Sequence, residues 1–334
     1  MDFKILKKII DENKSFLLTT HVNPDADAIG SEIALYHILK RLGKEVLIIN
    51  HSVTPYNLTF LDIDNIIRKF NLESDKNFID DADVLVALDF NRANRLVSME
   101  ESFVQSDKIK VCIDHHQDAE KIFNYYFNSD EYAATGQILY DFIKQTKIVD
   151  LDYKLAYPIY TAIMTDTGSF RFDRTTPQLH RITAELLECG FDPEDVYDKV
   201  YDQSKISKVR LLGKTLDTLK LAGDNKIGYM LITQDTFNEL NAIESDTEGF
   251  VNYTLSIDNI VLGILFIELK NGFKVSFRSK GALPVNQLAA QFGGGGHTNA
   301  AGARFLKSKM NDEMQNIILE SEKFLNNYNQ DKNV

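Results

Sequence analysis

Ser15-Phe16-Leu17-Leu18-Thr19-Thr20-His21-Val22-Asn23-Pro24-Asp25-Ala26-Asp27-Ala28-Ile29-Gly30-Ser31 is the stretch that decides the fold. Its first six residues form a short apolar run of buried-strand composition. From Ala28 the period changes: Ile29, Ile33, Leu35, Tyr36, Leu39 and Leu42 share one helical face, and Gly43 reads as the C-cap. Glu45–Asn50, Val84–Leu88 and Ile109–Ile113 repeat the strand signature, rich in Val, Ile and Leu. Strand–helix–strand alternation predicts an α/β domain, a mostly parallel sheet with helices on both faces. Such sheets bind ligands outside the carboxyl ends of their strands.

Those ends carry the acidic and histidine residues. After the first strand stand His21, Asp25 and Asp27; after the third, Asp89; after the fourth, Asp114-His115-His116. Asp166 follows the apolar helical stretch Tyr157–Met164. Singly, each has an ordinary explanation. Asp25 and Asp27 can cap the helix, and Asp89 can end a strand in a turn. Together, at successive strand ends, they are expected to converge. Converging carboxylates call for cations, and oxygen-rich sites with some imidazole suit Mn²⁺ or Mg²⁺ better than Zn²⁺. Six ligand candidates (His21, Asp25, Asp27, Asp89, His115, Asp166) are too many for one octahedral ion that must also hold water and substrate. They suit two divalent cations bridged by a carboxylate, the arrangement for in-line attack on phosphorus. His37 and His180 fit no such pattern and read as helix-packing or surface residues. His51, which also follows a strand, is left open.

From Leu151 the chain turns helical, with Pro177 and Pro193 at first helical positions behind Thr176 and Asp192. Ser204–Leu221 reads as an amphipathic helix ending at a junction, Ala222-Gly223-Asp224. Beyond it Lys226–Thr233, Ile260–Leu269 and Phe273–Ser279 read as strands, the last two joined by Asn271-Gly272, a strong hairpin signal. The expected organisation is a catalytic domain over 1–200, a connecting helix over 201–223 and a smaller α+β domain over 224–334, with a frayed tail after Tyr328. A second constellation, Gly293-Gly294-Gly295-Gly296-His297, lies in that smaller domain. Four glycines let backbone N–H groups approach a phosphate as an anion nest, with His297 opening a helix. The plainer reading is a flexible loop. Arg278, ending the hairpin strand, can clamp a phosphate bidentately or sit in solvent.

Composition narrows the partner. The 334 residues carry 37 Lys+Arg against 49 Asp+Glu, a net charge of −12. A protein that coats long nucleic acid is normally basic, so a phosphate substrate here should be small and locally held. Two cysteines, Cys112 and Cys189, allow no disulfide framework and read as small buried hydrophobes. No run approaches the ~18 apolar residues of a membrane span, and the N-terminus lacks a signal-peptide core. A cytoplasmic protein is expected. A homodimer is compatible with the sequence, though no residue argues for it.

The motifs resemble those of the DHH/DHHA1 phosphoesterase superfamily. Asp114-His115-His116 matches the name-giving triplet, His21…Asp25-Ala26-Asp27-Ala28…Gly30-Ser31 the opening motif, and the glycine run with His297 the DHHA1 hallmark. They fall in the right order over essentially the whole chain, which in length resembles the nano-RNase/pAp-phosphatase branch. That resemblance implies a hydrolase that cuts very short RNA to mononucleotides and removes the 3′-phosphate of adenosine 3′,5′-bisphosphate (pAp). It also implies Mn²⁺ and an active site in the cleft between domains. Carried over by position, His21 and Asp25 would hold one ion, Asp27, His115 and Asp166 the other, and Asp89 would bridge. Asp114 and His116 would be catalytic positions beside the ions or on the phosphate. Arg278, Gly294, Gly295, Gly296 and His297 would bind the non-scissile phosphate or terminal nucleotide. Phe170, Phe172 and Tyr132 can stack a base or pack in the core. The same chemistry would serve hydrolysis of the linear dinucleotide pApA or of cyclic dinucleotides. RecJ-like exonucleases are longer, family II pyrophosphatases resemble only the first domain, and a non-enzymatic nucleotide-binding module would not need six ligands.

Overall fold

A computed structural model describes residues 1–331 and divides into two compact units, Met1–Gln203 and a second that begins at Ser204. Among the described residues the first unit holds β1 (Ser15–Thr19), β2 (Glu45–Asn50), β3 (Ile67–Lys69), β4 (Val84–Leu88), β5 (Ile109–Asp114) and β6 (Tyr125–Asn128). Their order is β3-β2-β1-β4-β5-β6, and every pairing is parallel. The central strand β4 is buried along its whole length, because apolar layers lie on both faces. One layer joins Phe16, Leu18 and Val86 to Ile29, Ile38 and Ile159. The other joins Leu17 and Leu85 to Ile79 and Phe103. The edge strands β3 and β6 escape the sequence pattern because they are three and four residues long and half exposed.

The topology fixes where a ligand can sit. The chain runs outward from β1 through β2 and β3, then returns to β4 on the other side of β1. The ends of β1 and β4 therefore flank the point where strand order reverses, the usual binding crevice. Helix Ala26–Arg41 leaves that crevice and packs against helix Tyr153–Asp166. A Cβ on Gly30 would lie 2.5 Å from the Pro158 carbonyl oxygen, so only glycine permits this approach.

The second unit holds β7 (Lys220–Ala222), β8 (Ile227–Ile232), β9 (Leu262–Leu269), β10 (Gly272–Ser279), β11 (Gly295–His297) and β12 (Ala300–Leu306), ordered β11-β12-β10-β9-β8-β7. Only the β8–β9 pairing is parallel among these described strands. The β9–β10 hairpin turns at Asn271-Gly272, with Gly272 at φ +114. The helix expected over 204–221 spans only Ile206–Leu216. The Thr218 hydroxyl accepts from the Leu231 N–H at 3.0 Å and faces the Leu231 carbonyl at 3.2 Å. That anchor draws the chain into β7. The last helix runs from Met310 to Asp331, so the expected fraying after Tyr328 does not begin there, and Lys332–Val334 lie outside the described residues. Among the described residues no helix is long and apolar enough to cross a membrane.

Candidate metal centre

The rim of the first sheet is built outward from β1. His21 turns Nδ1 to the Val22 carbonyl at 2.9 Å, which aims Nε2 at the carboxylates, 3.3 Å from Asp89 Oδ2 and 3.8 Å from Asp25 Oδ2. Asp25 is the N-cap of helix Ala26–Arg41: Oδ1 accepts from the N–H groups of Asp27 and Ala28, both at 3.1 Å. Capping uses one oxygen and leaves the other for the cluster, so the two readings of Asp25 hold together. Asp27, fully buried, takes the N–H groups of Thr135 and Gly136 at 2.7 and 2.9 Å and the Ser31 hydroxyl at 3.2 Å. These amides open helix Thr135–Thr146, whose own N-cap is Ala134 and offers no side chain. A carboxylate from another helix thus serves that helix end and is positioned by it.

Asp89 sits between the two groups. It has φ +62, a left-handed conformation uncommon outside glycine, and its N–H donates to the Ile113 carbonyl at 3.0 Å. Oδ2 faces His21, while Oδ1 accepts from the Thr135 hydroxyl at 3.1 Å and lies 3.5 Å from His115 Nε2. His115 in turn lies 3.0 Å from Asp166, the last residue of its helix, and 3.7 Å from Asp27. One donor atom each from His21, Asp25 and Asp89 falls within 4.8 Å of the others, and so do Asp27, His115 and Asp166. Behind them, buried Asp114 holds His116: Oδ1 is 2.7 Å from Nδ1, and Oδ2 accepts from the His116 N–H and from Asn128 Nδ2.

Burial and mutual charge pull the proton affinities of the cluster apart. Burial, reinforced by the Asp89 charge, pushes the Asp25 carboxyl up to about 6 and Asp27 well above the usual range. Burial acts in the same direction on Asp89, but hydrogen bonds from His115 and His21 outweigh it and hold the carboxyl well below its ordinary value. Burial opposes protonation of His115, yet Asp166 and Asp89 raise it well above normal. Protons are here balancing an excess of negative charge that divalent cations neutralise more fully. Carboxylate oxygens with two imidazoles are a donor set that suits Mn²⁺ or Mg²⁺.

Thr135, Gly136 and Asn128 were not singled out by the sequence reading. The usable signal was a helical pattern from Thr135 with no capping side chain before it. His51 lies outside both triads, its Nδ1 2.7 Å from the Ser98 hydroxyl. His37 packs edge-on against Tyr36, and His180 lies on Phe170. Tyr132 donates to Asp141 and Phe170 packs on Tyr160, while Phe172 is half exposed. Cys112 is buried and Cys189 half-buried, neither in a disulfide.

In the second unit two expectations need correction. His297 does not open a helix; it lies in β11, paired with Ala300 of β12. The nest reading also fails for Gly293 and Gly294, whose N–H groups donate to Ala290 and Ala289. Close approach explains Gly294 and Gly296 instead. A Cβ would lie 2.1 Å from the Gly302 carbonyl at Gly294 and 2.5 Å from the Ala300 carbonyl at Gly296, which also has φ +140. Arg278 pairs with Ala300, which pairs with His297. Directly paired residues face the same side of a sheet, so Arg278 and His297 flank the small Ala300, two strand spacings or about 10 Å apart.

Residues 15–163 match the DHH family N-terminal domain and 227–326 the DHHA1 domain. The chain is 33% identical to the bifunctional oligoribonuclease and PAP phosphatase NrnA of Thermus thermophilus, covering 91% of this chain and 88% of that protein. Its identity to the Bacillus subtilis protein of the same name is 26%, covering 92% and 94%. The crystal structure of an exopolyphosphatase-related protein from Bacteroides fragilis superposes with a TM-score of 0.89 at 32% identity, over 98% of this chain and 96% of that one. On its motifs, fold and full-length similarity, the chain belongs to the DHH/DHHA1 phosphoesterase family.

Proposed function

We propose that the protein is a two-metal phosphoesterase that degrades very short oligoribonucleotides to mononucleotides and converts pAp to AMP. The relatives' oligoribonuclease and PAP phosphatase names support this reading, and the observation that carries it is Asp89. Its two oxygens serve two adjacent ligand triads, as a bridging carboxylate must. His21 and Asp25 would hold one cation, Asp27, His115 and Asp166 the other, and Mn²⁺ is the cation we expect. When bound, two such ions supply an acidified water as nucleophile and neutralise charge developing at phosphorus. The protein's own residues do the rest. Helix N–H groups fix Asp27, and the Val22 carbonyl fixes His21. Asp114 accepts from His116 Nδ1 and orients the ring; with a proton on Nε2 as well, His116 would pass that proton to the leaving oxygen and be left as the neutral imidazole.

Arg278 and His297 hold the non-scissile phosphate, with Gly294 and Gly296 letting the backbones of this hairpin come close. The net charge of −12 fits a site that recruits nucleotides locally rather than long RNA, and a cytoplasmic setting follows from such substrates. Turnover of an RNA dinucleotide, pAp, pApA and a long single strand, with Mn²⁺ and with chelator, tests the reading. Chelator-sensitive hydrolysis of the dinucleotide and pAp, with little on the long strand, is expected. Exclusive hydrolysis of pApA would replace it with cyclic-dinucleotide turnover.

A further inference from the structure

Behind the metal ligands lies a buried polar chain that none of them uses. Glu32, on helix Ala26–Arg41, is fully buried. Its Oε2 accepts from Asn50 Nδ2 at 2.8 Å, and its Oε1 has no hydrogen-bond partner among the described residues. Asn50, also fully buried, ends β2, and its Oδ1 accepts from the Thr20 N–H at 3.1 Å and the Thr19 hydroxyl at 3.4 Å. Thr20 then donates its own hydroxyl to the Leu88 carbonyl at 2.7 Å. Thr20 and Leu88 immediately precede His21 and Asp89. A carboxyl group buried with one bond satisfied is costly, and apolar neighbours would have filled the space at no such cost.

We propose that Glu32 is a positioning residue: through Asn50 and Thr20 it locks the ends of β1 and β4 from which His21 and Asp89 reach the metal centre. The strut ties β1 to both of its neighbours where strand order reverses, which is where a slip of a few tenths of an ångström would separate the two ligands. Burial pushes the Glu32 carboxyl up to about 8, so at neutral pH it is the uncharged acid, and glutamine matches it in shape and charge. The proposal rests on the two-cation reading above.

Variants E32Q, E32L and N50L are compared for Mn²⁺ binding by calorimetry, for kcat and KM on a dinucleotide, and for hydrogen exchange at the Thr20 amide. E32Q should stay within about twofold of wild type. E32L and N50L should bind one Mn²⁺ at least about tenfold more weakly and lose kcat by a similar factor, the scale of a lost outer-shell partner. KM should hold, and Thr20 exchange should quicken. Wild-type metal affinity and kcat in E32L would overturn the proposal. So would loss of folding in both E32L and N50L, since the chain would then only hold the core. If the wild-type protein hydrolyses none of the substrates, the functional reading fails, while Mn²⁺ binding and Thr20 exchange still decide on the strut.

Discussion

Glu32→Gln should stabilise the protein, and increasingly so as the pH rises. Burial raises the Glu32 carboxyl; the bond from Asn50 partly opposes it, and the charges of Asp62 and Asp89 add to it, so the value reaches about 8 against an ordinary 4.5. The unfolded chain gives up this proton near its ordinary value, whereas the folded protein keeps it to about 8. The folded state is therefore favoured fully below the unfolded value, loses stability as pH climbs through this window, and levels off above it. The gap of about 3.5 pK units corresponds to about 5 kcal/mol, of which about 3 kcal/mol is already lost at pH 7. Glutamine does not titrate, and it can keep the bond from Asn50 Nδ2. The variant should be about 3 kcal/mol more stable at pH 7, rising to about 5 kcal/mol above pH 8. Urea unfolding of both proteins in metal-free buffer across the range from acid to alkaline pH measures the difference directly. A difference that does not change with pH would show that Glu32 ionises normally in the folded state, and the reasoning would fail.

Asp89→Asn should cost at least about 100-fold in kcat on every substrate, because losing a shared ligand exceeds the loss of an outer-shell partner; steady-state kinetics on a dinucleotide and on a generic phosphodiester check this. Gly30→Ala would set a methyl 2.5 Å from the Pro158 carbonyl oxygen. The resulting helix displacement should destabilise the first unit by about 2–3 kcal/mol and lower kcat through Asp166, seen as a reduced urea midpoint and slower turnover. Arg278→Ala and His297→Ala should raise KM for nucleotide substrates by about tenfold or more, the scale of a lost charge-assisted bond, yet spare bis-p-nitrophenyl phosphate; equal losses on both would refute separate roles for the two units. Chelation should lower the melting transition of the first unit, each ion at a hundredfold excess over its Kd contributing about 2.7 kcal/mol, as scanning calorimetry with Mn²⁺ or EDTA would record.

The first sheet was largely legible because buried parallel strands are written as continuous apolar runs, and Val84–Leu88 is such a run from end to end. The metal candidates were legible for a related reason: a parallel sheet presents its ligands at strand ends, and sequence order alone put His21, Asp89 and His115 there. What the sequence hid was supplied by other elements. The Thr135 and Gly136 amides reach Asp27 over a separation of more than a hundred residues, and no local pattern encodes that distance. In the second unit β12 reads Ala-Ala-Gly-Ala-Arg-Phe-Leu, weak in the β-branched residues that announce a strand. A glycine run before such a strand reads as a phosphate nest leading to a helix, whereas Gly294 and Gly296 let two backbones meet. Gly30 was part of a recognisable motif, but its physical reason, contact with Pro158, appears only when two helices are packed.

On the proposed function, the carboxylate–histidine rim holds two cations that share Asp89. Titration of metal-free protein with Mn²⁺, followed by calorimetry and by the electron paramagnetic resonance of bound ions, addresses it directly. Two ions per chain with magnetic coupling between them are expected, with loss of that coupling in Asp89→Asn. A single ion, or two uncoupled ions indifferent to Asp89, would contradict it.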